Sequence, residues 1–248
     1  MPAEVEPKLN MQEFQKKIIG RFRSLAWWPR ITLMRMRGEK RVALASYPRS
    51  GNTWLRLLIE EATGQMSGTI YGGNEVIKRS SEGIVIKTHG WDAYKYTHAI
   101  HLLRNPFDVC VSYYEYSKDI YGEKELDWQT FLQRTVSEWR GHTLRWMRAA
   151  NTMPIHRIKY EDLLLTPETE LKALLDWLGF DIPDSNIKQA VEATSLKKLQ
   201  KKHPRRGKRF FRKGKSGLGI STFSSEDRSF LLEQAGALMA ELDYAPES

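Results

Sequence analysis

The segment SYPRSGNTWLRLLIE, residues 46–60, concentrates chemistry. An apolar run, VALASY at 42–47, stops at the tight turn PRSGN, and a helical pattern, TWLRLLIEEATG, follows to Gly64. Backbone amides at such a helix start point outward and carry the positive end of the dipole, which makes an anion site. Arg49 adds a full charge there, and Ser50, Asn52 and Thr53 add short donors. Gly51 lets the main chain approach a phosphate closely, and Trp54 offers a flat face for a base. The Walker pattern GxxxxGK[ST] is absent from this turn; a GKS at 214–216 has Arg209 where the pattern needs Gly. An arginine capping a plain surface turn is the alternative reading.

A second turn of the same type lies at RNP, 104–106, after the apolar run AIHLLR at 99–104. Pro106 suits the first position of a helix, so Arg104 is expected at a second anion site beside the first. Ser112 falls about two helical turns further on; a plain small helix residue would look the same. Lys87 and His89 end a third apolar run, GIVIKTH at 83–89, and strand alternation puts both on one side. An imidazole with an ordinary pKa near 6.5 suits proton transfer around neutral pH. A lone histidine is more often a structural residue.

The elements that must hold these groups alternate along the chain. A fourth strand is expected at 153–160. A long amphipathic helix is expected over 127–150. Thr166 and Pro167 open a helix to Gly179, Asp184 caps another to about Ala193, and Ser224 or Ser225 begins a last one through Leu242. Residues 197–215 read as a densely basic loop. This order indicates a three-layer α/β domain with a mainly parallel central sheet flanked by helices. Residues 1–40 read as a basic, partly helical N-terminal extension, and 41–248 as a single domain.

The 248 residues carry a net charge of +9, with 41% hydrophobic and 28% charged residues, so the composition is globular and the excess cation needs solvent or an anionic partner. The one cysteine, Cys110, excludes an internal disulfide and suits a reducing, cytoplasmic compartment. The apolar stretch 24–36 contains Pro29, Arg30 and Arg35 and falls short of the roughly 20 residues that span a bilayer. It allows peripheral membrane contact; the plainer expectation is that Trp27, Trp28 and Leu33 pack onto the domain. No Asp or Glu clusters with His or Cys at metal-ligand spacings, so no metal is implied.

Taken together, the motifs resemble those of sulfotransferases that use 3′-phosphoadenylyl sulfate (PAPS). YPRSGNTWL resembles that family's 5′-phosphosulfate loop, a P-loop-like element. GIVIKTHGW resembles its KTH segment, HLLRNPFDVCVSYY its 3′-phosphate motif, and IKYEDLLLTPETELKALLDWLG its YEDL stretch. TSLKKLQKK matches a further stretch in part, and RKGKSG at 212–217 matches its RKGxxG loop. The resemblance covers about residues 41–240 and keeps the family order. It implies the sulfotransferase fold, PAPS as donor and 3′-phosphoadenosine 5′-phosphate (PAP) as product.

The resemblance also assigns roles. His89 becomes the general base, with Lys87 and Arg49 stabilising charge on the sulfuryl and bridging oxygens. Arg49, Ser50, Gly51, Asn52, Thr53 and Trp54 form the 5′ loop. Arg104 and Ser112, with Arg212, Lys213 and Gly214, serve the 3′-phosphate. Trp54, Tyr160, Thr194 and Ser195 match positions around the adenine, although Trp54 and Tyr160 could be plain core aromatics. After RKGKSG the chain reads LGISTF where many members read DWKNxF; Phe223 keeps its spacing. The implied acceptor is a small molecule or carbohydrate bearing a hydroxyl or amine. Tyr71, Trp91, Tyr113, Tyr116 and Tyr121 stand where they could stack on it or pack the domain. A P-loop-like ATP-dependent kinase and a basic nucleic-acid-binding module are the rival readings; the first lacks its lysine, and the second leaves the ordered motifs unexplained, so no nucleic acid is expected.

Overall fold

The computed structural model describes residues 27–70, 83–121, 126–202, 216–217 and 219–244. Five strands form one sheet: β1 (Val42–Ser46), β2 (Gly68–Thr69), β3 (Ile86–Thr88), β4 (His98–Leu103) and β5 (Ile155–Lys159), in the order β2-β3-β1-β4-β5. Every pairing is parallel. β1 lies at the centre, and all five of its residues, VALAS, are buried. A parallel strand covered on both faces reads as such a continuous small-apolar run.

Alternate residues of β1 face different layers. Val42 and Leu44 join one core with α2 (Asn52–Thr63), α6 (Pro167–Leu178) and α7 (Asp184–Ala193). Ala43 and Ala45 face the other side, where Trp146 of α4 (Trp128–Ala149) closes on them. A neighbouring core joins α3 (Pro106–Tyr121), α4 and α9 (Ser225–Glu241). The expected three-layer α/β architecture is therefore present. α2 forms because Leu55, Leu58, Ile59 and Ala62 recur on one face. It stops at Gly64, whose left-handed φ of 67° lets its N–H reach the Glu60 carbonyl. α4 starts where Asp127 accepts from the Thr130 N–H at 2.7 Å. Its rings Trp139 and Trp146 are fully buried; each removes roughly 200 Å² of apolar surface from water, about 5 kcal/mol of burial.

Some elements differ from expectation. β3 begins at Ile86 rather than 83, and β2 is an edge strand of two residues. Residues 196–202 are not loop but a helix, α8 (Leu196–Lys202), with Leu199 buried beneath its lysines. A short helix, α5 (Tyr160–Leu165), follows β5 directly. Ser224 caps α9 as expected, accepting from the Asp227 N–H. Thr166 gives no side-chain cap, and its hydroxyl donates back to the Asp162 carbonyl instead. The first described residues, 27–36, form a helix, α1. Trp27 packs as expected under the guanidinium groups of Arg30 and Arg41. Trp28 and Leu33 do not; they are 71% and 46% exposed. Among the described residues no helix is long and apolar enough to cross a membrane.

Candidate functional site

Because all strands run the same way, the segments that leave their C-terminal ends emerge along one edge. The central turn, after β1, carries two residues with positive φ, Arg49 at 69° and Gly51 at 94°. Gly51 is required there twice over. Its φ suits glycine, and an added Cβ would lie 2.5 Å from Cδ2 of Tyr160. The Tyr160 ring thus rests on the loop backbone, and Trp54 meets that ring edge-on at 5.9 Å. No side chain caps the start of α2 and no acid sits in its first turn, so its leading N–H groups keep their capacity for an anion. Asn52 is turned inward: its amide donates to the Leu44 carbonyl and the Ser46 hydroxyl, at 3.1 and 3.0 Å, and thereby ties the turn to β1. The buried Ser50 hydroxyl has no partner among the described residues.

The turn after β4 meets this loop directly. Arg104 donates from Nη1 to the Arg49 carbonyl at 2.9 Å, lies over the Tyr160 ring at 4.4 Å, and is 3.7 Å from Asp108. Arg49 in turn donates from Nε to the Ser112 hydroxyl at 3.2 Å and stacks over Tyr116 at 4.6 Å. The two cationic turns singled out in the sequence are thus one continuous surface.

Asp108, which sequence reasoning passed over as a site residue, organises its rim. It is 4% exposed and accepts the backbone N–H groups of Gly217 and Gly219 at 2.9 and 2.7 Å. Gly219 sits so close that a Cβ would lie 2.4 Å from the Phe107 carbonyl carbon. The end of the RKGKSG stretch is therefore pinned beside Arg104, and the following LGISTF leads Phe223 into contact with Phe107 and Trp128. The Asp of RNPFD was the available signal, but its partners lie more than a hundred residues away.

The turn after β3 brings Lys87 and His89. Nδ1 of His89 lies 2.7 Å from the Ser46 carbonyl oxygen. A carbonyl only accepts, so Nδ1 carries the proton and Nε2 is left with its lone pair. Burial, then the nearby Lys87 charge, pushes the imidazole pKa down to about 3, against the opposing pull of the Ser46 carbonyl, with His142 and Arg49 lowering it further. The ring is therefore neutral at any ordinary pH. Burial and the charges of Arg56 and Arg49 bring Lys87 down to about 8.

Beneath this corner lies the inner face of α4. Glu138 accepts from the Tyr47 hydroxyl at 2.9 Å, and Trp146 donates to the Gly90 carbonyl at 3.1 Å. His142 is 1% exposed, with neither ring nitrogen partnered among the described residues. It too was missed; a histidine four residues before Trp146, on the apolar face of an amphipathic helix, was the signal. Trp91 lies 43% exposed under Arg145, and Tyr113 packs edge-on against Tyr47 and Phe131.

Thr194 closes α7, its hydroxyl donating to the Ala190 carbonyl at 2.8 Å, and Ser195 follows half-buried at the start of α8. Val191 and Trp54 pack against the same core, which places this helix end on the Trp54 side of the loop. Thr53 is half-buried in the first turn of α2. Arg212, Lys213 and Gly214, together with Tyr71 and the Tyr121 side chain, lie outside the described residues. Among the described residues no cluster of His, Cys, Asp or Glu could hold a metal ion.

Comparison with known proteins places this chain in a family. The family model described as "Sulfotransferase domain" matches residues 93–243, more than half of the chain. WSCD family member CG9164 of Drosophila melanogaster is 32% identical over 170 residues, covering 60% of this chain and 53% of its own length, so the chain spans about half of that relative. Sulfotransferase 1A1 of Bos taurus is 23% identical over 234 residues, covering 81% of this chain and 76% of its own. Among solved structures, mouse sulfotransferase SULT7A1 complexed with PAP superposes with a TM-score of 0.68 at 24% identity, covering 81% of this chain and 84% of that one. Retinol dehydratase in complex with androsterone and inactive cofactor PAP reaches 0.63 at 16% identity, covering 82% and 81%. The chain belongs to the sulfotransferase domain family.

Proposed function

We propose that this chain transfers the sulfuryl group of PAPS to a hydroxyl or amine of a small-molecule or carbohydrate acceptor. The observation that carries the reading is the junction at Arg49: its carbonyl is gripped by Arg104 while its side chain reaches Ser112. One nucleotide with phosphates at both its 5′ and 3′ positions fits across such a joined pair of cationic turns. Arginine suits this because its planar fork donates two parallel bonds to a phosphate. The PAP held by the solved relatives supports the same donor. Ser50, Gly51, Thr53 and the main chain of Asn52 would hold the 5′ end. Ser112 and Arg104, with Arg212, Lys213 and Gly214, would hold the 3′ phosphate. Tyr160, Trp54, Thr194 and Ser195 would surround the adenine.

In the reaction the acceptor oxygen or nitrogen attacks sulfur as the sulfur–oxygen bond to the 5′-phosphate breaks, and PAP leaves with the electron pair. Nε2 of His89 takes the acceptor's proton. Lys87 and Arg49 offset the charge that builds on the sulfuryl and bridging oxygens, and the fixed geometry supplies the alignment. With Cys110 as its one, buried cysteine, we place the chain in a reducing cytoplasm, with residues 41–248 as the transferase unit. Calorimetry with 3′,5′-ADP and with ATP tests the donor. Tight binding of the former with no competition by ATP is expected, together with labelled sulfate appearing in product from an acceptor panel. Magnesium-dependent binding of ATP in preference would overturn the assignment.

A further inference from the structure

α1 is built inside out for a helix at the surface of a soluble domain. At about 100° per residue, Trp28, Pro29, Leu33 and Met36 fall within an arc of roughly 140°. That arc faces outward: Trp28 is 71%, Leu33 46% and Met36 80% exposed. The helix is held to the domain from the opposite side, by Ile31 at 5% exposure and by Trp27 under Arg41. Of the six exposed large apolar side chains among the described residues, three belong to these ten positions. So the patch is a local feature, not ordinary surface scatter.

The charge around it says what it fits. Arg35 borders the apolar arc on one side and Arg30, whose guanidinium lies over Trp27 at 5.1 Å, on the other, and the exposed Arg37 follows directly after the helix. No acid occurs between 27 and 38; the first, Glu39, lies 3.7 Å from Arg37. A second copy meeting this face would set arginine rims against each other. An anionic, planar surface with an apolar interior satisfies both the rims and the centre, and tryptophan is at home at such a boundary.

We propose that α1 docks on the surface of an anionic lipid bilayer, with Trp28, Leu33 and Met36 entering the headgroup boundary and the three arginines meeting lipid phosphates. The helix lies on the membrane and does not cross it.

Co-sedimentation of the full chain with phosphatidylcholine vesicles, with and without phosphatidylglycerol, tests this. Binding to the mixed vesicles is expected to exceed binding to phosphatidylcholine alone by at least about tenfold and to weaken as salt is raised, since each cation near an anionic surface contributes about fivefold. Changing Trp28→Glu and Met36→Glu together should lower binding to mixed vesicles about tenfold or more while 3′,5′-ADP affinity stays unchanged. Arg30→Gln, Arg35→Gln and Arg37→Gln together should erase the preference for phosphatidylglycerol. Equal partition onto both vesicles, no partition, or dimers in sedimentation velocity that the Trp28→Glu change dissolves would each overturn the proposal.

Discussion

The two flanks of the β1 turn are built to opposite standards. Toward β4 the cations are braced: Arg104 touches the Arg49 carbonyl, Asp108 and the Tyr160 ring, with only its Nε lacking a partner among the described residues, and Arg49 touches Ser112 and Tyr116. Toward β3 and α4, buried polar atoms go without a described partner. Arg56 is 2% exposed, yet among the described residues its Nε and Nη1 have no partner and its Nη2 makes a 3.5 Å contact to Glu60. Both ring nitrogens of His142 and Nδ1 of His101 also have no partner among the described residues. A buried donor without a partner costs about 1–3 kcal/mol. The first flank holds each cation by several contacts before any ligand arrives. The second tolerates cost, which is common where groups are held for reaction.

That contrast can be broken experimentally. The largest effect is expected from His89→Ala on the costly flank: turnover should fall by roughly 10²-fold or more, with 3′,5′-ADP affinity near that of the unaltered chain. Equal turnover would remove the imidazole from the reaction. On the braced flank Arg104→Ala should do the reverse. Losing charge-assisted bonds worth about 1.5–3 kcal/mol should weaken 3′,5′-ADP binding by roughly 10- to 100-fold, with a smaller change in turnover at saturating donor; calorimetry reads it. The smallest effect concerns Lys87. Its charge is lost above about pH 8, so kcat/KM should decline on that alkaline side. Because the Arg56 charge helps depress Lys87, Arg56→Met should move that limb to higher pH. An unmoved limb would mean that a different group sets it.

Legibility in the sequence followed distance along the chain. The turns at 47–52 and 104–106 could be read because a glycine or proline, a cation and the following helix are contiguous, and local geometry there needs only local residues. Their meeting was an expectation drawn from the strand–turn–helix pattern that both share. Asp108 resisted because its meaning depends on Gly217 and Gly219, which fold back from the far end of the chain. Asn52 read as a donor toward the ligand, but a side chain at the first position of α2 falls back over β1, where two acceptors wait. The stretch LKKLQKK was read as basic loop because charge masked a helical spacing. Leu196 and Leu199 are three apart and lysine and glutamine are good helix formers, so Leu199 could be buried under a solvated face. β2, with two residues, has no periodicity to read.

A hydrogen bond to the Ser46 carbonyl orients the His89 ring. Its acceptor belongs to the main chain, so no point substitution at position 46 deletes the oxygen. The imidazole's tautomer is inherited from the register in which Ala45 lies opposite Thr88. Sequence drift around the edge can alter the surroundings of the ring while leaving its tautomer untouched, whereas a slip of one strand past the other would undo it.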